Sequence, residues 1–297
     1  MKKTTLFLVS IFLVVAISYG QNTASKAAKE YDSLVSHTIY GKNEKVGKYY
    51  TIRGFKMYCE TYGAGEPLLF IHGNGSSSSA FVKQIPFFSK KYKVIVADSR
   101  AHGKSIDKSD ALTYEMMADD YAALLTEMKI DSAYVVGWSD GGINGLLLAI
   151  RHPKKVKKLV ITGANLQPDS TAISPDILKS TKKTYDMFVN MFKEKRAKTP
   201  LDSTVYKYMK LLIEQPHIGI NDLHKIKAPT LVIGGDQDVI RPAHTLTIFE
   251  NIPNANLWIL PNSGHSTLVR YSDEFNEKVD SFFKTKYHKI EGDNRGF

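Results

Sequence analysis

Short apolar segments rich in β-branched residues alternate along the chain with longer segments in which apolar residues recur at helical spacing. Unbroken or alternating apolar runs are typical of strands, and recurrence at three and four residues is typical of helices. We predict strands at residues 49–53, 55–62, 67–72, 92–98, 133–137, 156–163, 229–234 and 256–260. We predict helices at residues 80–89, 114–129, 143–152, 242–251 and 273–283, the second of them with Thr113 as its N-cap.

This alternation predicts an α/β fold, with a mostly parallel central sheet, helices on both faces and right-handed crossovers. The first two predicted strands, which meet at Gly54, would form an antiparallel edge. The chain has 297 residues, of which 43% are hydrophobic, so it is long enough to bury a substantial core. It fits one large domain with an insertion.

The insertion is predicted at residues 164–227, where helical patterns occur at 177–192 and 204–213 and no strand pattern is found. Because this stretch lies between two predicted strands, we interpret it as a helical cap above the carboxyl ends of the sheet, where ligands bind in open α/β folds. The core would then comprise residues 48–163 and 228–286. The alternative is an enlarged crossover without a role in recognition.

The first residues have the pattern of a secretory signal peptide, with Lys2 and Lys3, an apolar run at residues 6–17, and small residues before a cleavage point after Gly20. A transmembrane anchor is the alternative, but this run is shorter than the roughly 20 residues that cross a bilayer. We therefore predict a signal peptide at 1–20 and a periplasmic or secreted protein without a stable membrane anchor. Residues 21–47 would form a poorly fixed polar leader, and 287–297 a flexible tail.

Charge and cysteine content bear on two questions, whether the protein binds nucleic acid and whether it contains a disulfide. The formal net charge is +10, yet the lysines are scattered among acidic residues and no nucleic-acid motif is found, which favours a solvated surface over a nucleic-acid partner. Cys59 is the only cysteine, so an internal disulfide is impossible. We expect Cys59 to be a packed strand residue rather than a reactive thiol.

Residues 137–141 carry the pattern G-x-S-x-G directly after a predicted strand and shortly before a predicted helix. Glycines in a sharp strand-to-helix turn let neighbouring backbone approach, and they allow the central serine to hold a strained, exposed conformation. Ser139 is therefore a candidate nucleophile. The alternative is a glycine-rich turn that contains an ordinary serine, because such a short pattern also arises by chance.

A nucleophilic serine needs a base and an orienting acid, which on this architecture follow in the order serine, acid, histidine. His265 comes directly after the last predicted strand, where the base is expected. Asp236 and Asp238 both follow the strand at 229–234. We prefer Asp238 as the acid and expect Asp236 to stabilise the loop, although either position fits the pattern.

Two backbone N–H groups are candidates for an oxyanion hole, which stabilises the negative charge that develops during acyl transfer. One belongs to Asp140, at the start of the helix after Ser139, and the other to Asn74 in the turn at residues 72–75. His72 is expected to organise this turn. The predicted chemistry requires no metal and no organic cofactor.

Together these residues resemble the α/β-hydrolase superfamily over residues 49–283. The resemblance is carried by residues 72–75, 98–100 with Gly103 and Ser105, 137–142, 235–238 and 264–265. It implies the α/β-hydrolase fold with an inserted helical cap. Ala101 departs from the family, which often has glycine there. Ser139 argues against the haloalkane dehalogenase and epoxide hydrolase branches, which use aspartate as nucleophile.

Residues 137–142 and 159–165 look like the valacyclovir hydrolase group, which cleaves esters of α-amino acids. The resemblance implies that Asp140 binds the substrate ammonium, and a carboxylate one residue from the nucleophile would be placed for this ion pair. The alternative is that Asp140 only stabilises the helix N-terminus through the helix dipole.

These observations predict a serine hydrolase, most simply a carboxylesterase that cleaves small-molecule esters through an acyl-enzyme. An aminoacyl-ester, amide, lactone or carbon–carbon bond hydrolase with the same triad, or a perhydrolase, is an alternative. A non-catalytic ligand-binding module on the same fold is a further alternative. The sequence does not decide the oligomeric state.

Overall fold

The computed structural model describes residues 26–107, 109, 111–196 and 199–290. The predicted signal peptide at residues 1–20 lies outside the described residues, as do residues 291–297 of the predicted tail. No helix in the described ranges is both long and apolar enough to cross a membrane.

Eight strands form within these ranges: β1 Lys48–Ile52, β2 Phe55–Tyr62, β3 Glu66–Ile71, β4 Tyr92–Ala97, β5 Ala133–Trp138, β6 Val156–Thr162, β7 Thr230–Gly235 and β8 Ala255–Leu260. The α-helices are α1 Lys26–His37, α2 Ile85–Phe88, α3 Tyr114–Glu127, α4 Asp140–Arg151, α5 Pro175–Lys193, α6 Pro200–Glu214, α7 Ile220–Leu223, α8 Pro242–Glu250, α9 Thr267–Arg270 and α10 Ser272–Lys284. Short 3₁₀ turns lie at Ser78–Phe81 and Pro153–Lys155.

The strands form one sheet in the order β1-β2-β4-β3-β5-β6-β7-β8. β2 pairs antiparallel with both β1 and β4, and every other pairing in the sheet is parallel. The predicted mostly parallel sheet with an antiparallel edge is therefore confirmed. Because the parallel strands point the same way, their carboxyl ends meet at one edge of the sheet, where the candidate residues lie.

Helices cover both faces of the sheet, as predicted. Alternate residues of β3 belong to different cores: Leu69 packs in a cluster with Tyr121 of α3 and Leu146 of α4. Leu68 packs in a second cluster with Phe275 of α10. All of these side chains are fully buried, and the period of two is what a strand buried on both faces requires.

The predicted helix at 80–89 is wrong in detail, because the structure divides this stretch into a 3₁₀ turn at Ser78–Phe81 and the short helix α2. Pro86 lies at the start of α2. Proline has no N–H and is favoured in the first turn of a helix, so the helix begins there instead of running through it. By contrast, Thr113 is confirmed as an N-cap, since its side chain accepts a hydrogen bond from the N–H of Met116 at 3.1 Å.

The region predicted as a cap contains α5, α6 and α7, and within its described residues the only β-contact is an isolated bridge between Ile173 and Ile240. α6 begins with a capping box, in which Thr199 and Asp202 satisfy each other's backbone N–H groups. The buried Tyr208 of α6 donates a hydrogen bond to the carbonyl of Ala101 at 2.6 Å, which ties these helices to the loop after β4.

The expectation of a poorly fixed leader at 21–47 is wrong for the described part of this segment. Lys26–His37 of this segment form the helix α1. Further along, the carboxylate of Glu60 on β2 accepts hydrogen bonds from the N–H groups of Gly41 and Asn43 at 2.7 and 2.8 Å. The hydroxyls of Tyr58 and Tyr62 donate to the same carboxylate. A fully buried carboxylate with four donors is a strong anchor, and it fixes the segment to the sheet edge.

Candidate active site

Ser139 lies at the sharp turn between β5 and α4 and adopts φ 57° and ψ −122°, a conformation that non-glycine residues rarely hold. Its N–H donates to the carbonyl of Thr162 at 2.9 Å, which fixes the turn to β6. A Cβ on Gly137 would collide with the carbonyl of Gly141, and a Cβ on Gly141 would collide with that of Ile71. Both glycines of the motif are therefore needed for space.

The structure brings Ser139, His265 and Asp238 together. The Oγ of Ser139 lies 2.9 Å from Nε2 of His265, and Nδ1 of His265 lies 2.7 Å from Oδ1 of Asp238. An ionised carboxylate only accepts, so Nδ1 carries a proton, and the lone pair on Nε2 of the neutral ring is free to accept the proton of the serine. This arrangement can activate the serine for attack on a carbonyl carbon.

The two candidate acids occupy different environments. Asp238 is buried, and its Oδ1 also accepts a hydrogen bond from the N–H of Ile240 at 3.0 Å. Asp236 is exposed, and its Oδ1 accepts from the N–H of Ser263 at 3.0 Å. The structure therefore places Asp238 beside the imidazole, while Asp236 joins the loops after β7 and β8.

The turn at residues 72–75 packs directly against Ser139, since a Cβ on Gly73 would lie 3.1 Å from the serine Cβ. His72 is buried in this turn; its Nδ1 bonds to the carbonyl of Gly73 at 2.8 Å, and its Nε2 accepts from the N–H of Ser99 at 2.9 Å. Neither the N–H of Asn74 nor that of Asp140 donates to another residue that the structure describes. Neither group is therefore tied to a neighbouring residue, although the carboxylate of Asp140 itself interacts with the N–H of Asp140.

Asp140 is a buried carboxylate beside the nucleophile, only 4% exposed. Its Oδ2 accepts a hydrogen bond from Nδ2 of Asn74 at 2.8 Å. Burial raises the pKa of Asp140 to about 6, against the lowering effect of this hydrogen bond. No lysine or arginine of the described chain is paired with it.

The raised pKa of Asp140 means that its charge opposes folding. The folded state holds this proton up to about pH 6, whereas an unperturbed aspartate loses it near pH 3.8. Folding stability therefore falls as the pH rises through this window, and above it the charged carboxylate costs about 3 kcal/mol. Such a destabilising group is typical of a functional site.

Two residues that support His265 were not predicted as site residues. The indole Nε1 of Trp138 donates to the backbone carbonyl of His265 at 2.9 Å. Gly163, directly after β6, has φ +64°, and a Cβ there would lie 2.7 Å from Cε1 of the imidazole. The position of Gly163 at a strand end was the one signal in the sequence that could have marked it as a site residue. Trp138 gave no such signal, because it lies at a position of the G-x-S-x-G pattern where any residue is allowed.

We expect Gly163→Ala to lower kcat by about 10²-fold, because the methyl group pushes the imidazole away from Ser139 and a displacement of about 1 Å costs this much. Steady-state ester hydrolysis measures the effect. Gly54→Ala is the matched control, since Gly54 also has positive φ but no atom lies within 4 Å of the position that a methyl group would take there. A loss of equal size in both variants would show that backbone strain, and not the contact with His265, is responsible.

Within the described ranges, no group of three or more histidine, cysteine, aspartate or glutamate side chains is arranged to hold a metal ion. The side chains that surround Ser139 suit acid–base and nucleophilic chemistry, which requires the proton acceptor and hydrogen-bond donors described above.

A family model described as the alpha/beta hydrolase fold matches residues 66–215. Serine hydrolase BPHL of Mus musculus is 26% identical over 255 residues, which cover 78% of this chain and 84% of the relative. Pimeloyl-[acyl-carrier protein] methyl ester esterase of Legionella pneumophila (strain Corby) is 24% identical, with 77% of this chain and 99% of the relative covered.

The fold is also similar to a solved structure of Est816, which is described as an N-acyl homoserine lactone degrading enzyme. The TM-score is 0.64 and the sequence identity is 26%. The match covers 79% of this chain and 100% of the Est816 chain. The similar proteins therefore include one named for a methyl ester and one described as degrading a lactone.

Proposed function

Because the chain belongs to the alpha/beta hydrolase fold family, we propose that it is a serine hydrolase that cleaves small-molecule carboxylic esters. The observation that carries this proposal is the continuous hydrogen-bonded chain from Ser139 through His265 to Asp238. Similarity to a methyl ester esterase supports the choice of bond. Membership in the family supports hydrolase activity, and the carboxylic ester is our proposal for the substrate class.

In the proposed reaction, Oγ of Ser139 attacks the ester carbonyl carbon while Nε2 of His265 takes the hydroxyl proton. The carbonyl oxygen becomes an oxyanion, which the N–H groups of Asn74 and Asp140 stabilise. Its collapse breaks the ester C–O bond, and the imidazolium gives its proton to the departing alcohol. Water then attacks the acyl-enzyme with His265 again as base, which releases the carboxylic acid and restores Ser139.

A fluorophosphonate probe tests the proposed function directly. We expect stoichiometric labelling, mapped to Ser139 by peptide mass spectrometry, because the probe phosphorus is attacked only by a serine that a base has activated. A panel of p-nitrophenyl acyl esters, lactones, amides and peptides then ranks the bond types. Folded protein that remains unlabelled and hydrolyses none of the panel would favour a ligand-binding module instead.

A second candidate function is hydrolysis of aminoacyl esters, which the environment of Asp140 favours. This buried carboxylate lies one residue from the nucleophile and lacks a lysine or arginine partner in the described chain. A substrate ammonium would supply the missing positive charge next to the scissile carbonyl. In a site of low dielectric such an ion pair is worth more than it is in water.

If Asp140 binds an ammonium group, Asp140→Asn should lower kcat/KM for aminoacyl p-nitrophenyl esters by about 10²-fold relative to neutral esters of the same size, since a charged hydrogen bond to a buried group contributes about 1.5–3 kcal/mol. Parallel assays on the two ester series measure the ratio. Equal losses for both series would remove the ammonium role.

We also propose that the enzyme acts after export, in the periplasm or outside the cell. Support comes from the basic, apolar and small-residue segments in succession at residues 1–20. Substrates would then reach the enzyme without entering the cytoplasm.

A further inference from the structure

The two residues whose N–H groups form the proposed oxyanion hole are joined by their side chains. Nδ2 of Asn74 donates to Oδ2 of Asp140 at 2.8 Å, across 66 residues of sequence. Each residue is only 4% exposed. The two halves of the hole therefore share a buried hydrogen bond that the reaction scheme itself does not require.

The two halves differ in how firmly the fold holds them. Asp140 is the first residue of α4, which packs against β5 and β6. Asn74 lies in a loop whose only backbone hydrogen bond among the described residues of the turn runs from the N–H of Ser76 to the carbonyl of Gly73, at 3.3 Å. His72 fixes the start of this loop, at Gly73, but not residue 74 itself. The side chain of Asp140 thus supplies a restraint that the loop lacks.

The orientation of the Asn74 amide supports this interpretation. A carboxylate only accepts hydrogen bonds, so the NH₂ group must face it, and turning the amide over would oppose two acceptors. In the orientation observed, Oδ1 of Asn74 is buried without a partner among the described residues. A buried unpaired acceptor is unfavourable, so contact with Asp140 dominates the position of this side chain.

We propose that the Asn74–Asp140 hydrogen bond is a brace that sets the position of the loop N–H relative to the helix N–H. The proposal rests on the proposed function and makes both side chains positioning residues for the oxyanion. Donors stabilise an oxyanion only when they converge on it within about 0.5 Å. A bond to an ionised acceptor in a buried site has the strength and direction to maintain this convergence.

The test is a double-mutant cycle of Asn74→Ala and Asp140→Ala on the neutral ester p-nitrophenyl acetate. Each single variant should lower kcat by about 10²-fold, the loss typical of one oxyanion donor, with a much smaller change in KM. The double variant should be no slower than the slower single variant, because either substitution already removes the brace. Asp140→Asn offers an amide oxygen to Asn74 and should recover most of the loss.

Asn276→Ala is the matched control. Asn276 is an equally buried asparagine in α10, bonded to Gln84 and Lys83 on the other side of the sheet. Its replacement should lower the melting temperature without lowering kcat. Should Asp140→Ala fail to fold, Asn74→Leu, which keeps the number of side-chain heavy atoms but has no side-chain N–H, must show the same loss in kcat.

Additive losses in the cycle, or unchanged kcat in Asn74→Ala and Asn74→Leu, would overturn the brace. The rate of fluorophosphonate labelling is a second readout, because the phosphonyl oxygen occupies the same hole without turnover. It should fall in the same variants and recover in Asp140→Asn. Labelling of Asn74→Ala at the wild-type rate overturns the brace alone, whereas failure of the wild type to hydrolyse any ester overturns the proposed ester substrate.

Discussion

Ser139→Ala is expected to lower kcat/KM for p-nitrophenyl esters on the order of 10⁴- to 10⁶-fold, because removal of the nucleophile leaves only binding and the oxyanion donors. The substitution deletes one oxygen at a position that is only 8% exposed. The main-chain bonds of the turn, such as that from the N–H of Ser139 to the carbonyl of Thr162, do not use this oxygen. Initial rates of p-nitrophenolate release measure the loss.

Ser180→Ala is the control for Ser139→Ala. Among the described residues, the hydroxyl of Ser180 bonds only to the carbonyl of Ile177 within α5, so its loss should leave the rate within about twofold, as for most substitutions away from a special feature. Circular dichroism and thermal unfolding establish that both variants fold. Substantial turnover by folded Ser139→Ala would rule out the acyl-enzyme.

Asp238→Asn is expected to lower kcat on the order of 10⁴-fold while leaving the fold intact, as the loss of the acid does in other serine hydrolases with this arrangement. The neutral amide can keep its oxygen at the position of Oδ1, where it still accepts from Nδ1 of His265 and from the N–H of Ile240. It lacks the negative charge that stabilises the imidazolium formed when His265 takes the proton of Ser139. The decisive measurement is kcat at saturating ester.

The comparison with Asp236→Asn is decisive for the choice of acid. Asp236 lies two residues away in the same loop and is bonded to the N–H of Ser263, not to the imidazole. The new amide oxygen still accepts this bond, so activity should change by about twofold or less. A larger loss in Asp236→Asn than in Asp238→Asn would reverse the assignment.

Periodicity predicted most of the fold because local patterns determine strands and helices. Strands β3, β5 and β7 each contain a run of consecutive apolar residues, at 68–71, 133–136 and 231–233, as strands covered on both faces require. The side-chain cap of α3 at Thr113 could be predicted because threonine directly precedes the helical pattern in the sequence. Where a local pattern had two solutions, as around Pro86, the prediction was wrong in detail.

The leader shows why some of the fold could not be predicted. Residues 38–47 carry no strong apolar pattern, and their order depends on the buried carboxylate of Glu60. Nothing in the sequence indicates that Glu60 faces the main chain of Gly41 and Asn43, because the contact depends on how the edge strand packs. Long-range polar contacts of this kind are decided by tertiary structure.

The sequence alone determined the class of fold, the turn that carries Ser139, and the strand ends at which a histidine and a carboxylate could follow. It left Asp236 and Asp238 as alternatives, and for the residues that position the imidazole it offered only the position of Gly163 at a strand end. It contained no sign that Trp138 contacts His265 or that Asn74 is bonded to Asp140. Those features were decided only by the tertiary structure. The reason is physical: apolar periodicity is a local property of the chain, whereas each of these contacts joins distant residues to within about 3 Å and depends on the packing of the whole sheet.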